Sequence, residues 1–234
     1  MKYSSSIPVS PCRFTFKHYE EILKTAKDSG YEFISMYDFA NGKRAEKLLI
    51  IRHDIDKSPP RAVEFAKIEH KYGVKATYFI RVHSDNYNVF GFDTYSKIRE
   101  IITLGHNIGL HYENLDFTDI TGENPSAILL KEKKMLELIF ETTIQGIAPH
   151  RDFTPIINRD FWKENDINDF GFNYEAYMDV FFDGVFYISD SLGQWGEDGK
   201  CLCQYLNKKK KIYVLLHPSY WYHTSYHLTT ALKR

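Results

Sequence analysis

The chain of 234 residues is 43% hydrophobic and 26% charged, with a formal charge of -1. Such a balance suits a soluble globular protein of one large domain or two small ones, and it removes any overall electrostatic ground for nucleic acid or an anionic membrane as partner. No segment approaches a membrane span, and the N-terminal MKYSSSIPVSPCRF lacks an apolar run of signal-peptide length, so a cytoplasmic protein is expected.

No repeat, low-complexity tract or Gly/Ser-rich linker interrupts the chain, and 1–234 reads as a single domain. Tyr19, Ile22, Leu23 and Ala26 recur at i, i+3, i+4 and i+7, which predicts an amphipathic helix ending at Gly30. KLLII reads as a short buried strand. Ser58 then caps a helix with Pro59 at its first position and Gly73 past its end, Ala62, Phe65, Ile68 and Tyr72 marking its inner face. ATYFIRV is a strand, followed by a helix with Tyr95, Ile98 and Ile102 inward and Gly105 as its stop. HNIGLH is strand-like. Asn124-Pro125 opens a helix with Ile128, Met135 and Ile139 on one stripe and Leu129, Leu136 and Phe140 beside it. QGIAPH, VFYISD and KIYVLLH are further strands, with a short helix near Phe161-Trp162. Between roughly 170 and 210 the pattern is too weak to place elements. The alternation implies right-handed crossovers and an α/β fold with a mainly parallel sheet.

Three cysteines, Cys12, Cys201 and Cys203, make no disulfide framework. The Cys201-Leu-Cys203 pair has neither a second pair nor a histidine at zinc spacing, so thiols without a metal role are expected. The basic run Lys208 to Lys211 precedes an apolar strand and reads as a solvated turn. Aromatic content of 16%, with 17 Tyr and 17 Phe, fills a core by default and also suits a cleft that stacks on sugar rings.

The predicted strands end, in order, at Asp54/Asp56, Arg81/His83, His111, His150/Arg151, Asp190 and His217. The C-terminal ends of parallel strands converge on one rim, where barrels and open α/β sheets carry their sites. Asp54 and Asp56 alternate on an extended chain and send both carboxylates to one side, where a cation or a shared proton must relieve them. A divalent metal does so if one acid ligates it and the other stays free as a base. His111 and His217 add imidazoles at other strand ends, a donor set for zinc or another first-row divalent ion.

RHDID, KATYF, GHNIGLH, GIAPHR, ISDSLGQW and LLHPSYW occur in the motif order of the polysaccharide deacetylase family (carbohydrate esterase family 4, the nodulation-type deacetylases). The chain resembles that family from about Leu49 to Trp221, most of its length. The resemblance implies a distorted (β/α) barrel of mainly parallel strands and metal-dependent hydrolysis of N-acetyl groups on amino sugars. On the family pattern Asp54 is the general base and Asp56 a metal ligand. The second motif supplies two metal histidines four residues apart. His111 is the first, but Leu115 stands at the partner position and has no ligating atom, a departure that marks a variant branch. Glu113, Asp116, His106 and His150 are the nearby groups able to complete the site. Glu113 is preferred, because two residues of extended chain put it on the face of His111; His106, at odd spacing, turns away and reads as structural.

In the third motif Arg151 is expected to hold Asp54 ionised and aligned, with His150 beside it toward the substrate. Asp190 and Trp195 take the fourth motif's places on the substrate wall. Tyr112 lies where a backbone N–H stabilises the oxyanion, and His217, in Leu215-Leu216-His217, is the general acid. His70, His83, His223 and His227 have no role in this scheme and read as helix-surface, loop and tail residues. The function implied is N-deacetylation of an amino sugar or oligosaccharide, a bacterial surface-polysaccharide precursor, with zinc as cofactor. Two alternatives keep the fold: hydrolysis of another C–N bond, such as an amide or formamide, and a catalytically silent carbohydrate-binding protein in which Leu115 records a lost metal.

Overall fold

In the computed structural model, which describes residues 12–151, 155–196 and 198–223, the alternation builds one parallel sheet with helices packed on its outer side. Thr15 accepts the His18 N–H and starts α1 (Phe16–Asp28), whose Tyr19, Ile22, Leu23 and Ala26 are buried. Two elements that the sequence pattern does not announce follow, β1 (Glu32–Phe33) and α2 (Met36–Ala40). The apolar run then becomes β2 (Leu48–Ile55), which runs four residues past KLLII at its polar end and is buried throughout. Next come α3 (Pro59–Tyr72), β3 (Thr77–Ile80), α4 (Phe92–Thr103) and β4 (Asn107–Tyr112). Ser58 makes no side-chain cap bond to α3, which starts instead on its prolines and ends as expected at Gly73, φ 74°.

On α4 the buried face is Thr94, Ile98 and Ile101; Tyr95 is largely exposed and stacks on Phe140, 5.7 Å between centroids. The residues after His111, read as extended loop, form α5 (Asn114–Thr121). The remaining elements are α6 (Pro125–Phe140), β5 (Gly146–Pro149), β6 (Tyr174–Glu175), β7 (Phe186–Ser189) and β8 (Lys211–Leu216). In α6 the stripe led by Leu129, Leu136 and Phe140 is the buried one, along with Ile128 and Glu132.

The strand order is β6-β5-β4-β3-β2-β8-β7, with β1 added beside the start of β2, and every pair is parallel. β2 pairs with β1, β3 and β8, and β3, β4, β5 and β6 follow it in chain order on one side. The period-2 alternation sorts each strand's residues. Leu49, Ile51 and Ile55 meet Ile22, Phe65, Ile98 and Leu136 of the helices, whereas Leu48 and Ile50 share the concave interior with Phe79, Ala148, Tyr174 and Tyr213. Phe181, from the segment joining β6 to β7, packs on Tyr174 and Tyr213 and fills the space between the two sheet edges. This is the distorted, open (β/α) barrel that the sequence leads one to expect.

α1 lies against α3 and the turn at Leu202–Gln204, on the side of the barrel and not across its mouth. Its start is tied to the C-terminal segment by Phe16 N–H to Tyr222 O and Tyr222 N–H to Phe14 O, both 3.0 Å. Burying Tyr19, Ile22 and Leu23 contributes on the order of 1.5–3 kcal/mol each. Among the described residues no helix is long and apolar enough to cross a membrane.

Adjacent strands β4 and β5 carry the tightest packing inside the barrel. A Cβ on Gly109 would stand 2.5 Å from the Phe79 ring and 2.8 Å from the Gly146 carbonyl oxygen, a backbone atom that cannot swing away. Gly109→Ala is therefore expected to lower stability by about 1–3 kcal/mol, seen as a lower denaturant midpoint; an unchanged midpoint would contradict the close approach.

Candidate functional site

The alternation of β2 decides which polar groups reach the mouth of the barrel. Arg52 and Asp54 share the parity of Leu48 and Ile50 and point inward. His53, one residue off, turns to the helix side and meets the buried Glu69 at 2.6 Å. Arg52 is fully buried, its guanidinium 5.2 Å from the Phe79 ring centre and 4.9 Å from that of Tyr177. It grips Asp54 through a two-point fork, Nε to Oδ1 at 2.7 Å and Nη2 to Oδ2 at 2.8 Å. Burial alone would raise the Asp54 pKa; the Arg52 charge outweighs it, helped by His111 and His217, and the carboxyl stays ionised below the usual range.

His111 has the same inward parity on β4. Its Nδ1 donates to the Ala148 carbonyl at 3.0 Å, which leaves Nε2 of the neutral ring with a lone pair. That Nε2 lies 3.2 Å from Asp56 Oδ1 and 3.5 Å from Asp54 Oδ2. His150, one residue beyond β5, brings its Nε2 to 3.8 Å from the same Asp56 oxygen, and the two imidazole rings stand 5.2 Å apart and nearly perpendicular. The His150 Nδ1 donates to Glu113 Oε1 at 2.6 Å. Glu113 is in turn forked by Arg81, Nε to Oε2 at 3.0 Å and Nη2 to Oε1 at 2.8 Å. Burial would raise Glu113, but His150 and Arg81 bring it down to about 2.

Asp54 thus has Arg52 and Glu113 has Arg81, whereas Asp56 has no Lys or Arg partner among the described residues. Its Oδ1 is buried and receives no well-aligned hydrogen bond among them, although His111 Nε2 stands within reach when protonated. Two lone-pair nitrogens and a carboxylate oxygen face one another there, and acceptors converge in this way around a cation. Burial pulls the His111 pKa down and Asp54 and Asp56 pull it up by more, so positive charge is favoured at this point, carried either by the protonated ring or by a cation on its neutral form.

His217, following β8, completes the rim. The buried Asp190 accepts its Nδ1–H at 2.7 Å, its backbone N–H at 2.9 and 3.0 Å, and the Trp221 indole N–H at 2.7 Å. Burial would lower the His217 pKa; the Asp190 hydrogen bond and charge, with Asp54 and Asp56, lift it to about 9.

Asp54, Asp56, His111, His150 and His217 therefore gather at the barrel mouth, and several other expected roles need correction. Glu113 is not open to an ion: both its oxygens are engaged, because the helix beginning right after it turns the carboxylate behind His150. Arg151 is exposed, at φ 51°, and the arginine on Asp54 is Arg52. The Tyr112 side chain, one residue out of phase with His111, is fully buried on the helix side, where its hydroxyl accepts the Trp162 indole N–H at 2.9 Å, so only its backbone lies toward the site as expected for an oxyanion donor. Trp195 is a core residue packed on Phe14 and Trp221, not a sugar platform. Asp190 is sealed beneath His217 and acts on it, not on a ligand. Leu115, at the family's second-histidine position, lies in α5 and packs against the core.

The other histidines follow their expected places. His106 is held by Ala76 N–H and Ala66 O, His83 pairs with Glu132 at 2.8 Å, and His70 and His223 are exposed; His227 lies outside the described residues. Arg52, Asn158 and Trp221 carry positioning roles that the motifs pass over. Arg52 is legible from its parity with Asp54. Asn158 is legible only in the fold, where its buried amide donates to His150 O and Asp116 Oδ2.

A groove of ≈ 1060 Å³ is lined by Arg159, Trp162, Glu175, Tyr177 and Met178 among others. Its Tyr177 lies against both the Arg52 guanidinium and Arg159.

Neither a protein-family model nor a curated protein matches the chain. Among solved structures it is similar to a de-N-acetylase from Aggregatibacter actinomycetemcomitans, at 14% identity and a TM-score of 0.46 over 90% of this chain and 85% of that one. It is similar to the chitin deacetylase of the fungal pathogen Colletotrichum lindemuthianum at 16% identity and a TM-score of 0.45, over 79% and 78% of the two chains. It is also similar to the Streptococcus pyogenes deacetylase PplD, in complex with acetate, at 18% identity and a TM-score of 0.41 over 56% of this chain; the match spans 60% of PplD.

Proposed function

We propose that this protein is a metal-dependent hydrolase that removes N-acetyl groups from an amino sugar, with a bacterial surface-polysaccharide precursor as substrate class. The observation that carries this reading is the buried Asp56 Oδ1, which receives no well-aligned hydrogen bond among the described residues and which faces Nε2 of both His111 and His150. Asp56, His111 and His150 would hold a zinc ion, an oxygen and two nitrogens with room left for a reactant. Glu113 on the far nitrogen of His150, and the Ala148 carbonyl on that of His111, are the outer hydrogen bonds that fix metal-binding imidazoles. When bound, such an ion polarises the amide carbonyl and acidifies the attacking water.

The chain's own groups perform the proton transfers. Asp54, ionised and clamped by Arg52, accepts the proton of the water as it attacks. His217 is cationic below about 9 and gives its proton to the departing amine nitrogen, so that the C–N bond breaks to a free amine and acetate. Asp190 orients that imidazole and stabilises its charge. The aromatic rings of Trp162 and Tyr177 give the groove faces on which sugar rings stack.

The deciding experiment is acetate release from acetamido-sugar nucleotides, lipid-linked acetamido sugars and N-acetylated oligosaccharides by zinc-loaded protein. Turnover that chelation abolishes and zinc restores is expected; a fully loaded rim site that releases acetate from none of the three rules the activity out. A pH profile tests the acid. His217 must be protonated to work, so the rate falls as pH rises through about 9. Asp190→Asn removes the charge that lifts His217, and the alkaline limb should move to lower pH with kcat reduced. A limb that stays in place would remove His217 from the role of acid.

A further inference from the structure

Cys12, His18, Cys201 and Cys203 lie apart in sequence but meet in the fold, where their ligand atoms all stand within 4.8 Å of one another. Counting spacing along the chain misses this group, because His18 comes from the first turn of α1 and Cys12 from the segment before it. The Cys12 and Cys203 sulfurs are 3.3 Å apart, well beyond the about 2.05 Å of a disulfide bond. The His18 Nε2 is 3.3 Å from the buried Cys201 sulfur, and its Nδ1 faces Glu21 Oε2 at 3.4 Å.

We propose that these four residues form a closed Cys₃His site for a structural Zn²⁺ ion, which fastens the N-terminal segment and α1 to the turn at 201–204. Metal bonds of about 2.3 Å to sulfur and 2.0 Å to nitrogen set tetrahedral ligands about 3.5–3.8 Å apart; two of the pairs here stand at 3.3 Å and every pair lies within 4.8 Å. Three thiolates and an imidazole select zinc over magnesium, calcium or manganese, which prefer oxygen. Glu21 takes the place of the carboxylate that commonly braces a metal-bound imidazole. Four protein ligands leave no position for a reactant, so the ion's role is to hold structure. Ligands separated by some 180 to 190 residues make it a long-range staple. None of the four belongs to the rim site.

Cobalt substitution of the full-length chain tests this directly. Under reducing conditions one equivalent of Co²⁺ should give an intense thiolate-to-cobalt charge-transfer band. The rim site has only oxygen and nitrogen ligands and cannot produce it, so the band reads this site whether or not the rim binds metal. Cys203→Ala, at a half-buried position, should abolish most of the band while circular dichroism shows a folded chain, and Asp56→Ala should leave the band intact. A folded, reduced wild-type chain that takes up cobalt without a sulfur band overturns the proposal. So does a Cys12–Cys203 disulfide, found by mass spectrometry in unreduced protein that carries no zinc.

Discussion

Asp54→Asn should lower kcat for acetamido-sugar hydrolysis by about 10²–10⁴-fold, the span that a positioned base contributes, while the rim keeps its zinc. Asparagine is close to isosteric with aspartate and still offers one oxygen to the Arg52 fork, so the buried guanidinium keeps an acceptor and the strand end keeps its shape. It cannot accept a proton from water. Asp56→Ala should instead lose both activity and rim metal, because that carboxylate faces both imidazoles and pairs with no Lys or Arg among the described residues. Metal content measured beside kcat separates the two acids. An Asp54→Asn chain with undiminished turnover would end the assignment of the base.

His150→Ala should abolish rim zinc binding, whereas Glu113→Gln should weaken it by only about 10–100-fold, the usual cost of losing an outer hydrogen bond to a metal-binding histidine. In the structure Glu113 is the inner partner of Arg81 and the brace of His150, and the imidazole faces Asp56. Glutamine keeps an acceptor for the His150 N–H but gives up the charge that pairs with Arg81. Zinc titration of protein stripped only at the rim, with acetate release as reporter, follows rim occupancy. If Glu113→Gln proves the more damaging change, the carboxylate and not the imidazole is the third ligand.

These two residues also mark where the sequence stops being readable. Period-2 alternation links residues within a strand, so Asp54, Asp56 and His111 are recognisable as inward groups before any coordinates exist. The same rule, carried past the end of β4, puts Glu113 on the face of His111. There the rule no longer applies, because α5 starts at Asn114 and the carboxylate rotates toward Arg81. Arg52 is a different case. Its parity with Asp54 is plain in RHDI, yet the family pattern directs attention to Arg151, which φ 51° turns out to solvent. Trp195 illustrates the ambiguity of aromatic residues: it stands in a motif, and its side chain is buried in the core.

The sequence by itself determined the strand–helix alternation, the parallel sheet and the chemical character of the rim, because local periodicity and turn residues act over a few positions. Tertiary structure decided which imidazole meets Asp56, which arginine holds Asp54, and that Cys12 and His18 meet Cys201 and Cys203. Apart from Arg52 and Asp54, two residues apart on one strand, those pairings join residues from separate loops and opposite ends of the chain, and their distances are set by how helices and strands pack, which no spacing along the polypeptide encodes.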